Sequence, residues 1–170
     1  MQSLIITIMG KDKPGLVDAL AKCVYRHDAN WLGSSFAHMA GHFTGFVEVH
    51  VPSEKHDELV AALNSLPDLT VQSVSIAEKT APLHDTLAVE VMGNDKPGIV
   101  QELTHILNQF NLNIVSFDSR CESAPNWGSL MFKAKAVIAV SENFDDSALQ
   151  TALEGIANDL VVDINTNQED

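Results

Sequence analysis

The chain has 170 residues, with 23 acidic and 10 basic side chains and a formal charge of −13. Direct nucleic-acid binding needs clustered Lys and Arg to replace phosphate counterions, and this chain is poor in both. A membrane span needs about 18–20 continuous apolar residues, and the longest apolar run, Ala136 to Val140, is far shorter.

From the first residues, Leu4, Ile6 and Ile8 recur with period two, as in a strand. Next comes Met9-Gly10-Lys11-Asp12-Lys13-Pro14-Gly15-Leu16-Val17. Gly10 is read as a sharp turn, Asp12 or Lys13 as a helix cap, Pro14 as a first-turn residue and Gly15 as a close-packing position. Leu16, Val17, Leu20, Cys23, Val24 and His27 then repeat at helical spacing and predict one apolar stripe. Asp28-Ala29-Asn30-Trp31 returns the chain to a second strand. Met39-Ala40-Gly41, between His38 and His42, reads as a hairpin turn. Phe43, Gly45, Val47, Val49 and Val51 form a third strand, Leu59, Leu63 and Leu66 a second helix, and Leu69, Val71 and Ile76 a fourth strand.

The same order then recurs. Met92-Gly93-Asn94-Asp95-Lys96-Pro97-Gly98-Ile99-Val100 repeats the first motif at an offset of 83, with seven of nine positions identical. Leu87, Val89 and Val91 precede it; Leu103, Ile106, Leu107 and Phe110 follow it, and Asn113 stands where Asn30 stood. Phe132, Ala134, Ala136, Ile138 and Val140 match the third strand at an offset of 89. The extra residues fall around Cys121 to Gly128, a turn-rich stretch that reads as a longer hairpin loop. Leu149, Leu153 and Ile156, then Leu160, Val162 and Ile164, complete the second unit.

Each unit reads strand, helix, strand, strand, helix, strand. The fold class is therefore α+β, two tandem ferredoxin-like βαββαβ domains. They are expected at residues 1–79 and 86–165, with a linker at about 80–85 and a frayed polar tail from Asn165 to Asp170. Residues 1–80 carry a balance of −3 and residues 81–170 a balance of −10.

The two loops carry the chemistry. A helix N-terminus presents free N–H donors and a partial positive charge, which suits a carboxylate. A neighbouring Asp suits an ammonium group. Together they match the two ends of a free amino acid, although the same residues also make sense as turn and cap alone.

A βαββαβ unit with Gly-x-(Asp/Asn)-x-Pro-Gly after its first strand resembles an ACT domain, a small amino-acid-binding regulatory module. Two such units with little else resemble the glycine cleavage system transcriptional repressor family. The resemblance implies antiparallel four-stranded sheets with two helices on one face. It also implies side-by-side pairing, with ligand at the seam between the first loop and the start of the second strand. Carried over, the ligand-binding positions are Gly10, Asp12, Pro14, Gly15 and Asn30, and Gly93, Asp95, Pro97, Gly98 and Asn113. An Asn there donates to a carboxylate and accepts from an amine. Trp31 stands where an aliphatic residue is more usual and crowds the first site, so the second copy is favoured.

The other side chains offer less. Cys23 lies on the apolar stripe and reads as core; Cys121 reads as an exposed loop residue. The seven His show no metal-ligand spacing. No nucleophile elbow or P-loop occurs, so the expectation is a non-enzyme without cofactor or metal. Two cysteines without a disulfide pattern, and no visible signal peptide, predict a cytoplasmic protein. The expected partners are a small amino acid, glycine by resemblance, and a transcriptional regulator protein. No direct nucleic acid or membrane is expected, and a homodimer is possible. The alternative is a ligand-independent interaction module that uses sheet edges and an outer face including Ile5, Phe46 and His50.

Overall fold

A computed structural model describes residues 1–76, 85–123, 128–156 and 158–166. The chain divides into two compact units, Met1–Thr80 and Ala81–Asp170. The expected linker, apart from Asp85, and the tail beyond Thr166 lie outside the described residues.

Unit 1 runs β1 (Gln2–Lys11), α1 (Leu16–Arg26), β2 (Asn30–Met39), β3 (His42–Val51), α2 (His56–Asn64) and β4 (Thr70–Ile76). Unit 2 runs β5 (Thr86–Asn94), α3 (Ile99–Gln109), β6 (Asn113–Ser123), β7 (Leu130–Ala139), α4 (Asp146–Glu154) and β8 (Val161–Thr166). Each unit is an antiparallel four-stranded sheet, ordered β2-β3-β1-β4 and β6-β7-β5-β8. This is the tandem βαββαβ plan read from the sequence.

Period-two alternation puts Leu4, Ile6 and Ile8 of β1 beside Val47, Val49 and Val51 of β3, all buried. Leu16, Leu20, Cys23 and Val24 of α1 and Leu59 and Leu63 of α2 close over them. In unit 2, Val89, Val91, Ala136 and Ile138 meet Leu103, Leu107, Leu149 and Leu153. Each fully buried Leu, Ile or Val contributes about 1.5–3 kcal/mol relative to exposure, so the aligned apolar positions account for both cores.

Several local expectations are corrected. Val17 and Val100 lie on the solvent flank of their helices, 39% and 40% exposed, rather than in the apolar stripe. Leu66 and Ile156 pack against the cores from just beyond α2 and α4. Cys121 belongs to β6 rather than to a loop, because β6 pairs with β7 as far as Ser123 opposite Leu130. The stretch 124–127 lies outside the described residues.

Candidate functional site

The motif loops join β1 to α1 and β5 to α3. Gly15 has φ 90° and ψ 2°, and Gly98 has φ 85° and ψ 0°. These are the angles of the third residue of a type II turn, whose second residue is favourably Pro. The Ile99 N–H donates to the Lys96 carbonyl at 3.3 Å and closes that turn in unit 2. The two glycines are thus the helix caps, and Pro14 and Pro97 stand before the helices rather than inside their first turns. Asp12 and Lys13 do not cap α1, because the turn inserts two residues between them and the helix.

The paired glycines also exchange their expected roles. Gly10 and Gly93 lie within β1 and β5, not at a turn. A Cβ at Gly10 would stand 2.2 Å from the Asp68 carbonyl oxygen, and one at Gly93 would stand 3.0 Å from Leu160 Cδ1. These two glycines admit the segment entering the last strand. Gly15 and Gly98 have open space around them and are required by their positive φ.

Neither α1 nor α3 has a side-chain cap, so the positive end of each helix is available to an anion. The two Asp residues are exposed, and their backbones are tied to the hairpin beside them. The Asp12 N–H donates to the Gly41 carbonyl at 3.0 Å, and the Asp95 N–H to the Leu130 carbonyl at 2.9 Å. Their carboxylates face matching positions of β2 and β6. Asp12 Oδ2 lies 3.6 Å from His38 Nε2. Asp95 stands against Cys121, whose thiol is pushed up by partial desolvation and then by the Asp95 carboxylate.

The lysines of the motifs diverge. Lys13 pairs with Asp68. Lys96 donates to Glu102 at 2.7 Å and to the Ile156 carbonyl at 3.3 Å. Asp159, which precedes the last strand, instead accepts from the Asn94 N–H at 3.0 Å. That bond holds its carboxyl below the usual range.

In unit 2 the loop opens onto a cleft of about 380 Å³. Asp95, Lys96, Gly98, Ile99 and Val100 form one side, Ser119, Arg120 and Cys121 the other, and Phe132 also lines it. A carboxylate and a helix N-terminus therefore converge on one concave surface, whereas Arg120 opposes Lys133 and so turns its guanidinium to the outer face of the sheet. Arg120 Nε is 2.6 Å from Glu122 Oε1, and Glu122 also accepts from Lys133 at 2.9 Å. The Lys133 hydrogen bond, with the nearby charges of Arg120 and Lys133, holds Glu122 below its ordinary pKa.

Of the cleft residues, the sequence points to Asp95 and Gly98 but not to Lys96 or Ser119. Comparing the two copies along the second strand supplies the missing signal. Ser119 opposes Ala134 where Phe36 opposes Gly45, and Arg120 opposes Lys133 where Ala37 opposes Thr44. Phe36 stacks on Phe43 with ring centroids 5.1 Å apart and an interplanar angle of 26°. Trp31 reaches the same cluster, 6.3 Å from Phe36.

Asn30 and Asn113 are the first residues of β2 and β6. The turns ending the preceding helices are made by Asp28 and Asn111, at φ 54° and 55°, so the Asn residues are not required as turn residues. Each is followed by a register shift at the same place, Trp31/Gly33 and Ile114/Ser116. Neither reaches its own unit's loop. Asn30 lies in the row of His50 and Ser3, whereas Asp12 follows the row of Met39, His42 and Lys11. Eight residues of strand separate these rows, about 27 Å at ~3.4 Å per residue. The same holds for Asn113 and Asp95.

No group of three or more potential metal-ligating side chains is found among the described residues. Nor is any helix among them long and apolar enough to cross a membrane. Cys23 is buried, and burial raises its thiol pKa. His27 follows α1 and its Nδ1–H donates to the Cys23 carbonyl at 2.8 Å.

The glycine cleavage system transcriptional repressor of Escherichia coli K12 is 21% identical over 162 residues, covering 92% of this chain and 85% of its own length. A crystal structure of an unknown protein from Galdieria sulphuraria superposes with a TM-score of 0.84 at 24% identity, covering 97% of this chain and 98% of that one. A crystal structure of a candidate glycine cleavage system transcriptional repressor gives 0.69 at 19% identity, covering 98% of each. The sequence model of the ACT domain matches residues 2–74 and 85–167, one segment for each βαββαβ unit. The chain belongs to the ACT domain family, as two tandem ACT domains.

Proposed function

We propose that this protein is a non-enzymatic amino-acid sensor that modulates a transcription regulator through protein contact. The observation that carries the reading is the cleft beside the second motif loop. There Asp95 and the start of α3 share one concave surface, walled by Ser119, Cys121 and Phe132. An α-amino acid presents one positive and one negative group, and this surface offers a partner to each. The ammonium goes to Asp95, and the carboxylate to the helix N-terminus. Similarity to the E. coli repressor favours glycine as the ligand and glycine cleavage as the regulated process.

In this reading the domains span 1–79 and 86–165, and the protein works in the cytoplasm. Gly10, Pro14, Gly15, Gly93, Pro97 and Gly98 shape the loops, while Asp95 meets the ligand amine and Asp12 is its counterpart in the first loop. Asn30 or Asn113 of a neighbouring ACT unit completes a site, within one chain or in a homodimer. The charge of −13 disfavours direct grip on DNA and favours a basic protein surface as partner. Ligand binding shifts the paired states only through its differential affinity for them.

Calorimetry of the full chain against a panel of amino acids, with Asp12→Ala and Asp95→Ala, tests this. Binding that is weakened by Asp95→Ala supports it. No binding at millimolar concentrations removes the sensor function for this chain. In that case the exposed Phe46 and Val74 on the outer sheet face of unit 1, 54% and 65% accessible, favour the ligand-independent interaction module. A pull-down indifferent to amino acids then supports that module.

A further inference from the structure

The two repeats share their motif but not the space beside it. On the core-side row of β6, Phe117 opposes Ala136 and packs against the core, and Ser119 opposes Ala134. On the matching row of β2, Ser34 opposes Val47 and Phe36 opposes Gly45. The aromatic ring has moved by two residues, which keeps it on the same face. In unit 1 it lies over Phe43, the counterpart of the cleft residue Phe132. The opposing residue changes to suit: a Cβ at Gly45 would stand 2.6 Å from Phe36 Cδ1 and 2.2 Å from the Ser35 carbonyl oxygen. Gly45 therefore leaves room for the ring and for the close approach of β2, whereas Ala134 faces only a serine.

We propose that the second repeat alone is the ligand-taking one, with Ser119 as its selecting residue. In the first repeat Phe36, seated over Phe43 and admitted by Gly45, fills the equivalent space. This rests on the sensor reading above and adds to it a stoichiometry and a set of residues that decide it. Unit 1 then serves as a scaffold or pairing partner while unit 2 carries occupancy.

The test is isothermal calorimetry of the full chain with glycine, alanine and serine as separate probes. Two variants are compared: the pair Ser119→Phe with Ala134→Gly, and Phe36→Ser. Circular dichroism and thermal melting establish that each is folded. The expected result is one site per chain in the parent, at least tenfold weaker binding in the Ser119→Phe pair, and parental affinity at that site in Phe36→Ser. The stoichiometry of the parent keeps the test open if the paired variant fails to fold. Two equivalent sites in the parent, or full affinity in the folded Ser119→Phe pair, would overturn the assignment while leaving the sensor reading standing. Absence of binding by the parent to any of the three probes overturns both.

Discussion

The His38 imidazole stands 3.6 Å from the Asp12 carboxylate, and Cys121 holds the corresponding strand position against Asp95. One conserved loop thus meets two different chemistries. A His opposite a carboxylate is an ion pair only when it is protonated. A thiol opposite a carboxylate is a neutral neighbour with a suppressed thiolate.

That suppression is measurable. Because partial desolvation, and then the Asp95 carboxylate, raise the Cys121 thiol pKa, less thiolate is present near neutral pH. Iodoacetamide at pH 8, followed by mass spectrometry, should label exposed Cys121 before buried Cys23. Asp95→Asn should speed labelling of Cys121 severalfold. An unchanged rate would show that Asp95 does not govern that thiol.

The four motif glycines should separate by mechanism in urea unfolding. Ala at Gly15 or Gly98 meets no atom but must adopt positive φ, at a cost of about 1–2 kcal/mol. Ala at Gly10 drives a Cβ into the Asp68 backbone carbonyl and should cost about 3 kcal/mol, the upper part of the overpacking range. Ala at Gly93 meets a movable Leu160 methyl and should cost about 1 kcal/mol. Equal losses at Gly10 and Gly93 would contradict this account of their neighbours.

Acid should act on unit 2 through two carboxylates. Asp159 is held below its usual pKa chiefly by the Asn94 N–H, and Glu122 chiefly by Lys133. A folded pKa below the unfolded one gives stability that is present above the unfolded value. It is lost as pH falls through the folded value, here below about pH 4. Asp159→Asn should flatten the fall of Tm between about pH 5 and 2, relative to the parent. A parallel curve would remove Asp159 from the acid response.

How much of this was legible in the sequence follows from what each signal encodes. The repeat, the strand alternation and the Leu spacing fix which residues are buried, because burial is periodic. Leu59, Leu63, Leu149 and Leu153 accordingly sit at full burial. A glycine letter, by contrast, does not say whether the chain needs positive φ or a missing Cβ, and the two roles were assigned the wrong way round. Polar turn residues mark where a hairpin loop lies but not how far strand pairing runs toward it, which moved Cys121 from loop to strand. The β6 side of the cleft is not encoded in the motif, where the copies agree. The informative position, Phe36 against Ser119, is one where they differ.

The distance between each Asn and its own loop has a last consequence. An amino acid is far shorter than the ~27 Å that eight strand residues span, so no single unit can clasp one with both elements. Any site using both is a joint between two units, and occupancy then reports assembly as well as ligand level. If the joint lies within one chain, apparent affinity is indifferent to dilution. If it lies between chains, affinity falls as the protein is diluted, because mass action links binding to association. A titration repeated at ten- and hundredfold lower protein therefore distinguishes a solitary sensor from one that also measures its own abundance.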